Sequence, residues 1–351
     1  MKMSLKYMVE LHKFLYESND SDVERLRFKV AAHLKHIPHK KLYRYRKFND
    51  DELHTLSRNS IWLSNPEKFP DMFDATIPLE DKKNIDWKYP FYFNLEVAYI
   101  ALVKTAEKGE KIPNKSEFFE EIYKIIEEYT PEEIHEEATR IRREAGCEEL
   151  QDCPVDIDFS YHVEQAKKLL EHFSNSPRRL LAIASFTTRY DNRNMWENYA
   201  ERYTGFCVEY NFSQQMLTLS SKSAWDVLHL LPVRYFKRRP LFNYNGILQS
   251  IVREDMKIEE FHIDRDSYLT QYYQSITAKL YDYRAEQEWR LIMGREQYGE
   301  YSFPYISKIF IGKDMSETNK NQICQIADKL HIPVYKQVIS DNGNEFEYIK
   351  I

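Results

Sequence analysis

The chain has 351 residues and a formal net charge of −6, enough for one large domain or two ordinary ones and without a global basic field for nucleic acid. Its 42% apolar and 15% aromatic content supports a packed core, and 26 Tyr suit either polar clefts, in which a ring packs while its hydroxyl bonds, or a genomic base bias toward Tyr, Lys, Asn and Ile. With 8 Gly it has neither GxGxxG nor GxxxxGK before Ser or Thr, so any nucleotide is held by other means.

Cys147, Cys153, Cys207 and Cys324 lack CxxC spacing, which argues against zinc and suits a reducing cytosol. The N-terminal MKMSLKYMVELHKFLYE has no signal-peptide core, and no apolar run approaches ~18 residues. A cytoplasmic protein without a membrane span is expected.

Residues 1–40 read as a helical extension. Ser21-Asp22-Val23-Glu24 fits a capping box, and Val23, Leu26, Val30 and Leu34 follow at helical spacing. His33, His36 and His39 read as a solvated helix end, since Pro38 interrupts the spacing and no carboxylate completes a metal set. Leu42–Phe48 alternates as a strand, with Leu42, Arg44 and Arg46 on one face and Tyr43, Tyr45 and Lys47 on the other. Asn49–Glu52 caps a short helix, Ser60–Ser64 is a second strand, and Asn65–Asp74 is a loop.

Residues 81–178 are charged and read as a helical insertion between two parts of one sheet. Phe118, Phe119, Ile122, Tyr123, Ile125, Ile126 and Tyr129 form a helical stripe. Thr130-Pro131-Glu132-Glu133 opens another helix, whose Glu136, Glu137, Arg140, Arg142 and Arg143 read as a solvated face. The sheet resumes at Leu180–Thr188, then comes a short helix over 194–204 closed by Gly205, and an alternating strand over Phe206–Phe212. Residues 213–280 read as mostly helical, with a strand around Leu231–Phe236. Arg234, Lys237, Arg238 and Arg239 form a basic cluster there, either a solvated loop or a local nucleic-acid groove. Strands over Trp289–Met293, Ile306–Ile311 and Ile332–Val338, with a helix over Ser316–Leu330, complete the chain. The expected fold is α+β: a mixed, largely antiparallel sheet flanked by helices, with 41–351 as one domain carrying the insertion.

Glu286-Gln287-Glu288-Trp289-Arg290 carries the most chemistry. On a strand start, Glu286 and Glu288 would project side by side, and paired like charges cost stability unless used or neutralised. The alternative is a solvated strand edge with Arg284 and Arg290 as partners.

Four segments together resemble the bacterial family catalogued as domain of unknown function 2971. They are Leu42–Arg46; Phe69-Pro70-Asp71-Met72-Phe73-Asp74; Ser185–Thr188 with Asn194–Ala200 and Gly205; and Glu286–Arg290. The family's Phe-Asn-Asp-Pro-Phe-Asp is altered here at Pro70 and Met72, while Asp71 and Asp74 are kept. The resemblance implies a phage-defence or toxin–antitoxin setting, with an antitoxin or a macromolecular acceptor as partner. The order of parts is also similar to that of ADP-ribosyltransferases, which implies NAD as substrate. On that reading Glu288 holds the ribose and Glu286 addresses the acceptor. Arg44 or Arg46 meets the pyrophosphate, and Tyr43, Tyr45 or Tyr199 stacks on a ring.

Alternatives from the residues stay open. Trp196, with Met195 and Tyr199, sits at helical spacing and suits a core. Arg44 and Arg46 could fasten Asp71 and Asp74, and Arg290 could be the buried partner of Glu288. Competing functions are a magnesium-dependent nuclease built on Asp71, Asp74, Glu286 and Glu288, and a noncatalytic sensor or interaction module.

Overall fold

The computed structural model describes residues 3–17, 23–78, 128–144, 174–213, 221–242, 265–343 and 345–351, with single positions between 97 and 125 and at 171. The proposed capping box at Ser21-Asp22, most of the stripe from Phe118 to Ile126, and Cys147 and Cys153 lie outside them. The chain divides into two compact units: 1–78, 174–242 and 264–351 in one, and 79–173 with 243–263 in the other.

The first unit is α+β. Its main sheet has eight strands in the order β12-β11-β10-β4-β1-β3-β8-β5. These are β1 (Lys41–Arg46), β3 (Leu181–Thr187), β4 (Phe206–Asn211), β5 (Leu230–Pro232), β8 (Glu288–Gly294), β10 (Ile306–Ile311), β11 (Val334–Ile339) and β12 (Phe346–Lys350). Every pairing is antiparallel except β10 with β11, which run parallel. That exception follows from the helix Glu317–Leu330 between them, because a parallel pair needs a crossover. Two small sheets pair β2 (Ser60–Leu63) with β9 (Gly299–Ser302), and β6 (Arg234–Phe236) with β7 (Ala278–Leu280).

The period of two sorts the side chains. Leu42, Phe186, Val208, Trp289, Leu291 and Ile309 enter the main core. Helices α1 (Leu5–Glu17), α2 (Val23–Leu34), α7 (Ser221–Leu228) and α8 (Arg265–Ile276) add to it, and Met8, Leu11, Val30, Leu34, Ala224, Val227 and Ile276 are buried there. Tyr43, Tyr45, Cys207 and Phe310 project from the opposite face and pack with Trp196 and Ala200 as a second cluster. In the second unit, the helix Pro131–Glu144 (α4) buries Ile134, Ala138 and Ile141 against Val97, Ile100, Ala101 and Ile125. Thr130 and Glu133 exchange a capping box at its start, and Arg140 bridges Glu137 and Glu144 on its exposed face.

Several elements differ from expectation. Strands β7, β9 and β12 are additional; the first two are three and four residues long and carry no alternating apolar signal. Strand β12 did have a signal, Asn342-Gly343, with Gly343 at φ +71° in the turn from β11. His33 is fully buried instead of solvated: it bonds the Leu230 carbonyl at 2.8 Å, and burial holds its pKa down at about 4. The basic cluster is not simply a solvated run, since Arg239 bonds the carbonyls of Phe73 and Thr76 while Lys237 and Arg238 are exposed.

Candidate active site

Glu288 opens β8, but Glu286 is not on that strand. It closes a 3-10 segment, Tyr281–Glu286, and Gln287 between them turns left-handed at φ 46°. The expectation that strand pleating sets the two carboxylates side by side is therefore corrected. What brings them together is Lys279 on β7, whose Nζ donates to Glu286 Oε2 at 2.6 Å and to Glu288 Oε2 at 3.0 Å. No pattern in the sequence marked Lys279, because a three-residue strand paired far along the chain leaves no local period.

Glu288 is 5% exposed and saturated with donors. Ser185 Oγ donates to its Oε1 at 2.8 Å, and so does Arg290 Nε at 2.8 Å. The register explains both contacts: Ser185 lies opposite Arg290 and Thr187 opposite Glu288, so all four share one face. The Glu288 backbone N–H is held by the Tyr235 hydroxyl at 2.8 Å. Burial alone would raise the Glu288 pKa, but Arg290, Lys279 and the Ser185 bond outweigh it and hold the carboxyl at about 2. Lys279 and Arg290 are pushed up in turn: burial opposes their charge, and the facing carboxylates overcome it.

Arg290 extends the network. It is fully buried, meets Asp74 at 2.8 Å and donates to the Ile276 carbonyl at 3.2 Å. Asp74–Arg290–Glu288–Lys279–Glu286 is thus a continuous chain of three carboxylates and two cations. Tyr199 ends it, donating to Glu286 Oε1 at 2.8 Å from the helix Arg193–Tyr199 (α6); burial and Glu286 raise its pKa. Tyr199, Tyr281 and Tyr283 form an exposed aromatic rim here, with Arg284 over Tyr281 at 4.3 Å and Lys279 over Tyr283 at 4.9 Å.

Other expected residues fall elsewhere. Arg44 and Arg46 share the core face with Leu42, opposite to Glu288. Arg44 lies over Phe186 at 5.8 Å and donates to the Trp62 carbonyl at 3.2 Å; burial and Arg46 lower its pKa to about 9. Arg46 pairs with Glu52 at 3.1 Å. Neither meets Asp71 or Asp74, nor can either join Glu288 around one pyrophosphate. Tyr43 and Tyr45 do share the Glu288 face, but both are buried: Tyr43 donates to Glu209 at 3.1 Å and Tyr45 to the Arg189 carbonyl at 3.1 Å. Trp196 is fully buried, edge-on to Tyr45 at 5.1 Å, and is core. Asp71 caps its own loop through Phe73 N–H at 2.9 Å. That loop is held by Arg178, which donates to the carbonyls of Glu67, Asp71 and Asp74.

Among the described residues no group of three His, Cys, Asp or Glu is arranged to hold a metal ion. Arg290 already bridges Asp74 and Glu288, so a divalent cation there would have to displace a buried guanidinium. Among the described residues no helix is long and apolar enough to cross a membrane.

No curated protein and no solved structure matches the chain. The sequence model of the family described as Protein of unknown function (DUF2971) matches residues 195–291, a stretch that carries Trp196, Tyr199, Lys279, Glu286 and Glu288 and stops one residue past Arg290. Over that stretch the chain is similar to the DUF2971 family.

Proposed function

We propose that the protein consumes NAD, as an ADP-ribosyltransferase or an NAD glycohydrolase, with Glu288 as the group that stabilises the cationic ribose. One observation supports this above the others: Glu288 is a buried carboxylate kept ionised and oriented by three side-chain donors. A general acid needs a proton at neutral pH, and Glu288 has none to give. Cleavage of the nicotinamide–ribose bond asks instead for a fixed negative charge beside a developing cation, in surroundings that screen it little. Exposed Tyr199 is the ring free to stack, and exposed Arg284 replaces the arginines of β1 as the cation for the phosphates. Glu286 would face the acceptor, whether protein, nucleic acid or water, and the setting would be phage defence or a toxin with its antitoxin.

A second reading, a noncatalytic interaction module, is favoured by the fact that the Glu288 contacts are all internal and that Arg290 ties it to the Asp74 loop. Isothermal titration with NAD, together with an assay for released nicotinamide, separates the two readings. The first expects the native protein to bind NAD and release nicotinamide, and Glu288→Gln to bind but lose at least about a hundredfold in rate. No binding at millimolar NAD, or equal release by the variant, would exclude it. Full biological activity of Glu288→Gln would establish the second.

A further inference from the structure

Resting on the reading of Glu288 as the reacting group, we propose that Tyr281–Gln287 is a strap closed over it, and that Glu286 is the latch. The segment joins β7 to β8 and contains no buried residue, yet it lies beside a carboxylate that is 5% exposed. Its attachments to the rest of the unit are polar contacts of its own side chains and backbone. Glu286 is gripped by Lys279 and Tyr199, the Ala285 carbonyl by the Asn192 side chain, and the Gln287 side chain by the Thr188 hydroxyl. Lys279 is itself placed between the Tyr283 ring and the two carboxylates. A segment without a buried apolar anchor is tied only by bonds that water can replace, and such segments open at the low end of a protein's stability range.

The left-handed Gln287 marks where the strap ends and the rigid strand begins. Beyond it, Glu288 is fixed by Ser185 and Arg290, neither of which belongs to the strap. Opening therefore costs Glu288 none of its contacts to the sheet and removes the segment beside it. Closure also takes both oxygens of Glu286, so Glu286 is free to address an acceptor only after the latch releases. Lys279 and the hydroxyl of Tyr199 then act through Glu286 as positioning groups, while the Tyr199 ring keeps its stacking role. The open strap admits a ligand, and Tyr281 and Tyr283 travel with it as stacking surfaces.

Amide hydrogen exchange on the full chain tests this, with trypsin cleavage after Arg284 as a second reading. In Tyr199→Phe and in Glu286→Gln, exchange over Tyr281–Gln287 should quicken about tenfold, with cleavage after Arg284 rising in step, while amides of β3 and β8 keep native rates. Unchanged protection of the segment in both variants would overturn the proposal. So would loss of protection that extends equally through β8, because the segment would then be part of the core fold. The readout needs no NAD, so the two ideas fail separately. A strap that opens in a protein that never releases nicotinamide leaves the strap and removes the transferase. Nicotinamide release with a strap indifferent to its latch does the reverse.

Discussion

Arg290 is the side chain on which the site depends most. It is fully buried, and its charge is balanced only because Glu288 and Asp74 both face it. Breaking a buried ion pair by removing one member leaves the other uncompensated, which costs about 3–5 kcal/mol. Arg290→Met should therefore destabilise the first unit by that amount in urea unfolding. Adding Glu288→Gln should recover part of the loss, because the orphaned charge is gone.

Glu288 also carries a pH signature. Against the effect of burial, Arg290 and Lys279 hold its carboxyl at about 2 in the fold, below the ordinary 4.5 of a glutamate, so the folded state holds fewer protons. Its contribution is complete above about pH 4.5 and is lost as pH falls toward 2. The difference amounts to at most about 3 kcal/mol. Urea midpoints at pH 7 and pH 3 should fall further for the native chain than for Glu288→Gln. Equal falls would mean that Lys279 and Arg290 do not hold the charge as the geometry indicates.

At the scale of elements, the turn after α6 depends on close backbone approach. A Cβ added at Gly205 would lie 2.1 Å from the Arg46 carbonyl oxygen, and one at Gly312 would lie 2.0 Å from that of Tyr203. The Gly312 N–H bonds the Gly205 carbonyl at 2.9 Å, so the ends of β1, β4 and β10 converge on these two residues. Backbone cannot yield as a flexible side chain does, and Gly205→Ala should cost about 1–3 kcal/mol, seen as a lowered melting temperature. Tyr199 leaves α6 just before this turn, so the same variant should loosen the Tyr199–Glu286 bond and quicken exchange in the strap.

For the whole molecule, each compact unit has its own apolar cluster, one on the sheet and its helices, the other around Ile134, Ala138 and Ile141. Separate cores unfold separately unless a large interface couples them. Calorimetry should resolve two transitions, and Arg290→Met should lower only the one that belongs to the sheet. A single transition shifted as a whole would show that the units unfold together.

The sequence by itself determined what depends on neighbours along the chain. Alternation placed β1 and β4 and sorted Leu42, Arg44 and Arg46 from Tyr43 and Tyr45. Caps placed the helices at Asp50 and Pro131, the helix expected over 194–204 ends at Tyr199 because Glu201, Arg202 and Tyr203 turn left-handed, and the absence of glycine loops ruled out two modes of nucleotide binding. Glu288 with Arg290 was legible as a possible buried pair because two residues apart on a strand share a face. Only the tertiary structure decided the rest, since it rests on pairing between distant segments. Strand order puts Ser185 beside Glu288 and leaves Arg44 and Arg46 on the other side of the sheet. A short parallel pair between β6 and β7 delivers Lys279 and Tyr235 to the carboxylates. Glu286 reaches the same point by a turn that strand geometry could not foretell. Local pattern fixes which face a side chain takes, but the partner across that face is set by long-range register, which no period in the chain encodes.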